Sequence, residues 1–104
     1  MIIPDIGIKK LVKDGFLPTG LKIGPSSVDL TLSDSFSWPV PVKNTITLGE
    51  AVPHKHVQKD EFVLEPNHFV LASTAESIRV PHDMAAYVEG RSSIGRLGLQ
   101  VQNA

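Results

Sequence analysis

The spacing of apolar residues changes once along the chain, near residue 16. Before that point Ile8, Leu11 and Val12 recur three and four residues apart, the spacing that lines one face of a helix. Asp5 stands where a helix N-cap would, and Gly15 after Asp14 supplies a stop signal. One short helix is predicted, from about Ile6 to Asp14. After it, apolar and polar residues alternate in short runs separated by Pro, Gly, Asn and Asp. Residues 28–32, 45–48, 61–64, 68–72, 77–80, 85–89 and 99–101 all read as strands, mostly with period two. Turn chemistry falls between them at Leu17-Pro18-Thr19-Gly20, Glu65-Pro66-Asn67 and Val80-Pro81-His82-Asp83. Short strands with turns between them predict a mainly β fold, a barrel or sandwich with one N-terminal helix. Ser33 to Lys59 is the least regular stretch and is expected to form an excursion from that barrel.

A length of 104 residues, 41% hydrophobic and 20% charged, supports one modest core and therefore one domain spanning 1–104. The formal charge of −1 argues against a nucleic-acid-coating protein, which needs an excess of Lys and Arg over a whole face. Cysteine is absent, which excludes disulfides and Cys-based zinc sites and fits a reducing cytosol. The N-terminus lacks the pattern of a secretory signal, and no apolar run reaches membrane-spanning length, so a soluble cytoplasmic protein is expected.

The candidate chemistry is concentrated in Gly90-Arg91-Ser92-Ser93-Ile94-Gly95-Arg96-Leu97-Gly98-Leu99. Two guanidiniums, two hydroxyls and three glycines within ten residues suit a phosphorylated ligand. Arg offers a planar charged fork to phosphate oxygens, Ser adds short neutral donors, and Gly lets backbone N–H groups come close to an anion. The alternative is an Arg- and Ser-rich turn between surface strands, and no P-loop or dinucleotide fingerprint decides between the two. His54-Lys55-His56 could place two imidazoles on one strand face, but no third donor of obvious type is nearby, and a solvated surface is the simpler reading. Asp29 and Glu76 adjoin apolar strands and read as architectural carboxylates, Asp29 accepting hydrogen bonds from turn backbone or from an Arg. Glu89, two residues before Arg91, could orient that guanidinium through an ion pair.

The order of three motifs carries a resemblance. Pro25-Ser26-Ser27-Val28-Asp29-Leu30, then Phe69-Val70-Leu71-Ala72-Ser73-Thr74-Ala75-Glu76, then Val88 to Leu99, together resemble the dCTP deaminase branch of the dUTPase-like superfamily over essentially the whole chain. The second Arg and the Leu-Gly after Arg-Ser-Ser separate this branch from plain dUTPases. The resemblance implies a distorted β-barrel of jelly-roll type, a homotrimer with active sites at subunit boundaries, and hydrolytic conversion of dCTP to dUTP and ammonia. Arg91 and Ser93 would contact the triphosphate, Ser92 would hold the attacking water, and Arg96 would lie beside the base. Mg²⁺ would enter only with the triphosphate, and no transition metal would be used. Neither nucleic acid nor membrane is an implied partner; dCTP and dUTP are.

The same resemblance implies an incomplete barrel. Gln102-Asn103-Ala104 looks like the lead into a Gly-x-x-Asp-x-Gly-Phe segment and a Thr-Leu-Glu strand that carries the family's general base, and that carboxylate has no matching position here. The chain alone is therefore expected to be inactive, because a base must reach the water it deprotonates. Exposed strand edges are expected to favour an oligomer, with strands exchanged between copies as one form of it. A diphosphatase acting on dUTP, a bifunctional deaminase and diphosphatase, and a non-catalytic nucleotide-binding or assembly module are the alternatives.

Overall fold

A computed structural model describes residues 1–102. Helix α1 spans Asp5–Lys13, with Pro4 rather than Asp5 at the N-cap. The Pro4 carbonyl accepts bonds from Gly7 N at 3.0 Å and Ile8 N at 3.1 Å, while Asp5 becomes the first helical residue. There its charge favours the helix start, as Lys10 and Lys13 favour the end. The helix stops as predicted. Gly15 takes φ +83°, Gly15 N bonds Val12 O and Phe16 N bonds Leu11 O, a paired closure that needs a left-handed residue at Gly15.

Next comes a tight hairpin formed by the first motif. Ile23 and Val28 form a bridge, Gly24 N bonds Ser27 O at 2.8 Å, and Asp29 N bonds Lys22 O at 3.0 Å. This fixes the backbone from which the Asp29 side chain projects.

Three strands then form one antiparallel sheet: β1 (Leu32–Pro39), β2 (His54–Gln58) and β3 (Leu71–Thr74), in the order β2-β1-β3. The expected excursion is therefore where the sheet is built. Strand β1 reads Leu-Ser-Asp-Ser-Phe-Ser-Trp-Pro, so its alternation is present but carried by Ser and Asp, which obscures it against a loop. Phe36 faces Val57 of β2 and Ala72 of β3, and the register against β3 shifts between Leu32 and Phe36. The 68–72 prediction is realised two to three residues later, as β3. Predicted strands 45–48, 61–64, 77–80, 85–89 and 99–101 join no ladder among the described residues. Alternation specifies a face, whereas a strand exists only where a neighbouring backbone accepts its bonds.

Some of these segments still pack. Phe62 stacks on Phe36 with ring centroids 4.9 Å apart and lies 5.5 Å from Trp38, so 61–64 covers the centre of the sheet. Arg79 N bonds Phe16 O at 2.9 Å and its guanidinium sits 4.7 Å from the Phe16 ring centroid, tying 77–80 to the end of α1. The turns at 65–67 and 81–84 also form, with Asn67 at φ +63° and Met84 N bonding Pro81 O.

The result is a mainly β fold with a short N-terminal helix and an open sheet, not closed into a barrel. Among the described residues only Ile8 and Phe36 are buried hydrophobics. The accessible surface is 8972 Å², against about 5,700 Å² for a compact monomer of this mass. The radius of gyration is 16.8 Å, where about 13 Å is usual for this length. No helix among the described residues is long and apolar enough to cross a membrane.

Candidate functional site

The Arg-Ser-Ser motif forms a single helical turn. Arg91, with extended backbone at φ −72° and ψ 145°, is the N-cap of α2 (Ser92–Gly95). Its carbonyl accepts bonds from Ile94 N at 3.2 Å and Gly95 N at 3.0 Å. The turn closes as α1 does: Gly98 lies at φ +88°, Gly98 N bonds Gly95 O and Leu99 N bonds Ile94 O. The chain is thereby turned back, and residues 99–102 run past Gly90. A Cβ on Gly90 would stand 3.0 Å from Val101 Cγ2, so the two passes approach closely there and a larger residue would push the Val101 side chain aside.

Between these two passes lies an open cleft of about 290 Å³, lined by residues 90–92, 95 and 99–102. Arg91 and Ser92 are brought together on its wall. Ser93 and Arg96, on the same turn, are exposed and do not line it. Gln100 and Gln102 line it as well, and sequence reasoning missed both. The only signal for them was their two-residue spacing beside an Arg-Ser turn. The walls are Gly, Arg, Ser, Leu, Gln and Val, which offer hydrogen-bond donors and one fixed positive charge but no carboxylate or imidazole. Such a surface can hold an anion; it offers no group of a general base's usual kind.

Asp29, across the chain, is the ion-pair partner of Arg91: Arg91 Nη1 donates to Asp29 Oδ2 at 3.2 Å. This corrects the expectation that Glu89 orients that guanidinium, since Glu89 forms no ion pair among the described residues. The carboxylate that meets Arg91 comes instead from the motif hairpin, 62 positions away. Glu76 is also architectural. Its Oε1 accepts from Thr31 N at 2.9 Å and its Oε2 from Thr31 Oγ1 at 2.8 Å. Those two donors hold its carboxyl below the ordinary glutamate value.

The His54-x-His56 pair lies on β2 with both side chains exposed. His54 Nδ1 is 2.9 Å from Val52 O and His56 Nε2 is 3.4 Å from Ser35 Oγ. Among the described residues no group of three His, Cys, Asp or Glu could hold a metal ion. Of the segment at 102–104, Asn103 and Ala104 lie outside the described residues.

Comparison with known proteins places these motifs in context. The family model for dCTP deaminase-like proteins matches residues 2–104. A protein of Sulfurihydrogenibium sp. named "dCTP deaminase, dUMP-forming" is 38% identical over 115 residues, covering 100% of this chain and 63% of the relative. One of the same name from Persephonella marina is 38% identical, with 100% of this chain and 63% of the relative covered. One from Methanobrevibacter smithii is 37% identical, covering 94% and 57%. The chain thus spans less than two thirds of the length of these curated relatives.

Proposed function

Because the chain belongs to the dCTP deaminase-like family, we propose that it forms the triphosphate-holding part of a dCTP deaminase whose final product is dUMP. The observation that carries this reading is the juxtaposition of Arg91 and Ser92 on one cleft wall, within the motif that identifies the family. The relatives' shared name favours dUMP over dUTP as the end point. Written in balance, dCTP and water give dUTP and ammonia, and a second water then gives dUMP and diphosphate.

In this reading the Arg91 guanidinium meets phosphate oxygens with its planar fork, and the Ser93 hydroxyl adds a neutral donor from the same turn. Ser92, able to donate and accept at once, holds the water that adds to the pyrimidine ring. Arg96 stabilises the negative charge that develops on the ring as water adds. Mg²⁺ comes with the triphosphate, since no carboxylate lines the cleft to ligate it. The base that deprotonates the water lies outside the cleft walls. A homo-oligomer is the natural setting: Leu48, Tyr87 and Leu97 are each more than four-fifths exposed, and β2 and β3 are open edges. Monomeric light scattering at high concentration would exclude it. The cytoplasm, where nucleotides are interconverted, is the proposed location.

Calorimetric titration with Mg²⁺-dCTP tests the reading. The chain is expected to bind the nucleotide, and R91A to weaken binding by about 10- to 100-fold, the loss of one or two charge-assisted bonds. Equal affinity in R91A would place the phosphates elsewhere. The chain alone is expected to release no ammonia, and turnover by it would show that a base is already within reach. A binding module without catalysis is the second reading, favoured by the cleft's lack of a carboxylate.

A further inference from the structure

The ion pair between Asp29 and Arg91 joins two motifs that the sequence separates by 62 residues, and it reaches the one charged residue on the cleft wall. Asp29 projects from a hairpin fixed by its own backbone: Asp29 N to Lys22 O, the Ile23 and Val28 bridge, and the Gly24 to Ser27 turn. Arg91, in contrast, sits at the start of a single turn with its side chain 63% exposed. Among the described residues its ion pair with Asp29 is the only one it makes.

We propose that Asp29 is a positioning residue that holds the Arg91 guanidinium over the cleft before an anion arrives. The contact is one-armed. Only Nη1 engages Asp29, and only through Oδ2, so the other guanidinium donors stay available for a polyphosphate. An Arg side chain free in solvent loses much rotamer freedom on binding; one already held by a rigid hairpin loses less. Repulsion between Asp29 and an incoming phosphate works against this, but the cleft is open and water screens it. The proposal rests on the triphosphate reading and gives Asp29 a role toward the same site through Arg91 alone.

The test uses the full chain with inorganic tripolyphosphate as probe, in wild type, D29A, D29N and R91A, together with ¹⁵N spectra of the arginine guanidiniums. R91K assigns the Arg91 signals by their loss. Rotation of the Arg91 guanidinium should be hindered in wild type and released in D29A. Tripolyphosphate should bind D29A about three- to tenfold more weakly, and D29N should recover most of the affinity because its amide oxygen accepts the same bond. In an R91A background D29A should add nothing further. Unchanged Arg91 rotation in D29A overturns the proposal whatever binds. Tighter binding by D29A overturns it too, showing that the carboxylate competes with phosphate. If Arg91 rotation responds to D29A but R91A binds tripolyphosphate as wild type does, the triphosphate reading fails and the positioning role falls with it.

Discussion

Around Phe36 the chain is held on every side: ladder pairs to Val57 and Ala72 on the two flanking strands, and the stacked ring of Phe62 above. Around Arg91 it is held by one helical turn, one ion pair at 3.2 Å and the approach of Val101 to Gly90. The first region buries apolar surface and carries none of the candidate site residues. The second exposes Arg91, Ser92, Ser93 and Arg96 and buries almost nothing. The residues that bury surface and the candidate site residues are therefore separate sets, and substitutions should separate stability from the proposed binding.

The largest effect is expected at the sheet. Phe36→Ala removes the ring of a residue that is 7% exposed, paired in the ladder with both neighbouring strands and stacked on Phe62; it should cost about 3–5 kcal/mol in urea unfolding. With so little else buried, the variant should be largely unfolded at rest. A midpoint close to wild type would mean that stability resides outside the sheet. The converse variant is R91A, whose exposed ion pair contributes no more than about 1 kcal/mol to folding. Its unfolding midpoint should hold while phosphate binding falls. A large loss of stability in R91A would make the turn part of the core and break the distinction.

The same division explains what could be read from the sequence. The helix was legible because its signals are local: spacing at Ile8, Leu11 and Val12, and Gly15 at its end. The Arg-Ser-Ser motif stood out as a candidate by its residue types, and of its four candidate residues the structure brings Arg91 and Ser92 together on one cleft. Strands β1 and β2 were not legible. Their ladder is a long-range arrangement, and Ser33, Asp34, Ser35 and Pro39 have loop composition while forming the central strand. Conversely, Ala85 to Glu89 has strand composition and no partner among the described residues. That Asp29 would accept from an Arg was legible, but that the Arg is Arg91 was not, because Glu89 is near it in sequence while Asp29 is near it only in space.

Gly98 offers a finer test on the site side alone. At φ +88° it closes the turn that carries Arg91 and Ser92, and a Cβ there has free space but an unfavourable backbone. Gly98→Ala should destabilise by about 1–2 kcal/mol, the usual cost of a left-handed conformation for an L-residue. Gly95 is helical with nothing within 4 Å of its added Cβ, so Gly95→Ala should be neutral or stabilise by up to about 1 kcal/mol. Thermal melts of the pair distinguish backbone strain from crowding, because crowding would penalise both.

The smallest effect belongs to acid, and it acts on the sheet side. The Thr31 N–H and hydroxyl donate to the ionised Glu76 carboxylate and hold its pKa below the ordinary value, while the Thr74 hydroxyl fastens to the Glu76 carbonyl at 2.7 Å and Ala75 N to Thr31 O at 2.8 Å. Glu50 is lowered similarly, first by Lys43 and then by the Thr47 N–H. A carboxylate whose folded pKa lies below its unfolded one adds stability that is fully present above the unfolded pKa. That stability is lost as pH falls through the folded value. Melting temperature should therefore decline on the acid side of the ordinary carboxylate range. In Glu76→Gln the decline should be shallower: the amide oxygen still accepts from Thr31 N, but no proton is taken up at that position. The Glu50 contribution persists in that variant, so a reduced slope rather than a flat one is expected. A slope identical to wild type would mean that the Thr31 clamp on the Glu76 carboxylate is not closed in solution, and that the end of β3 is held without it.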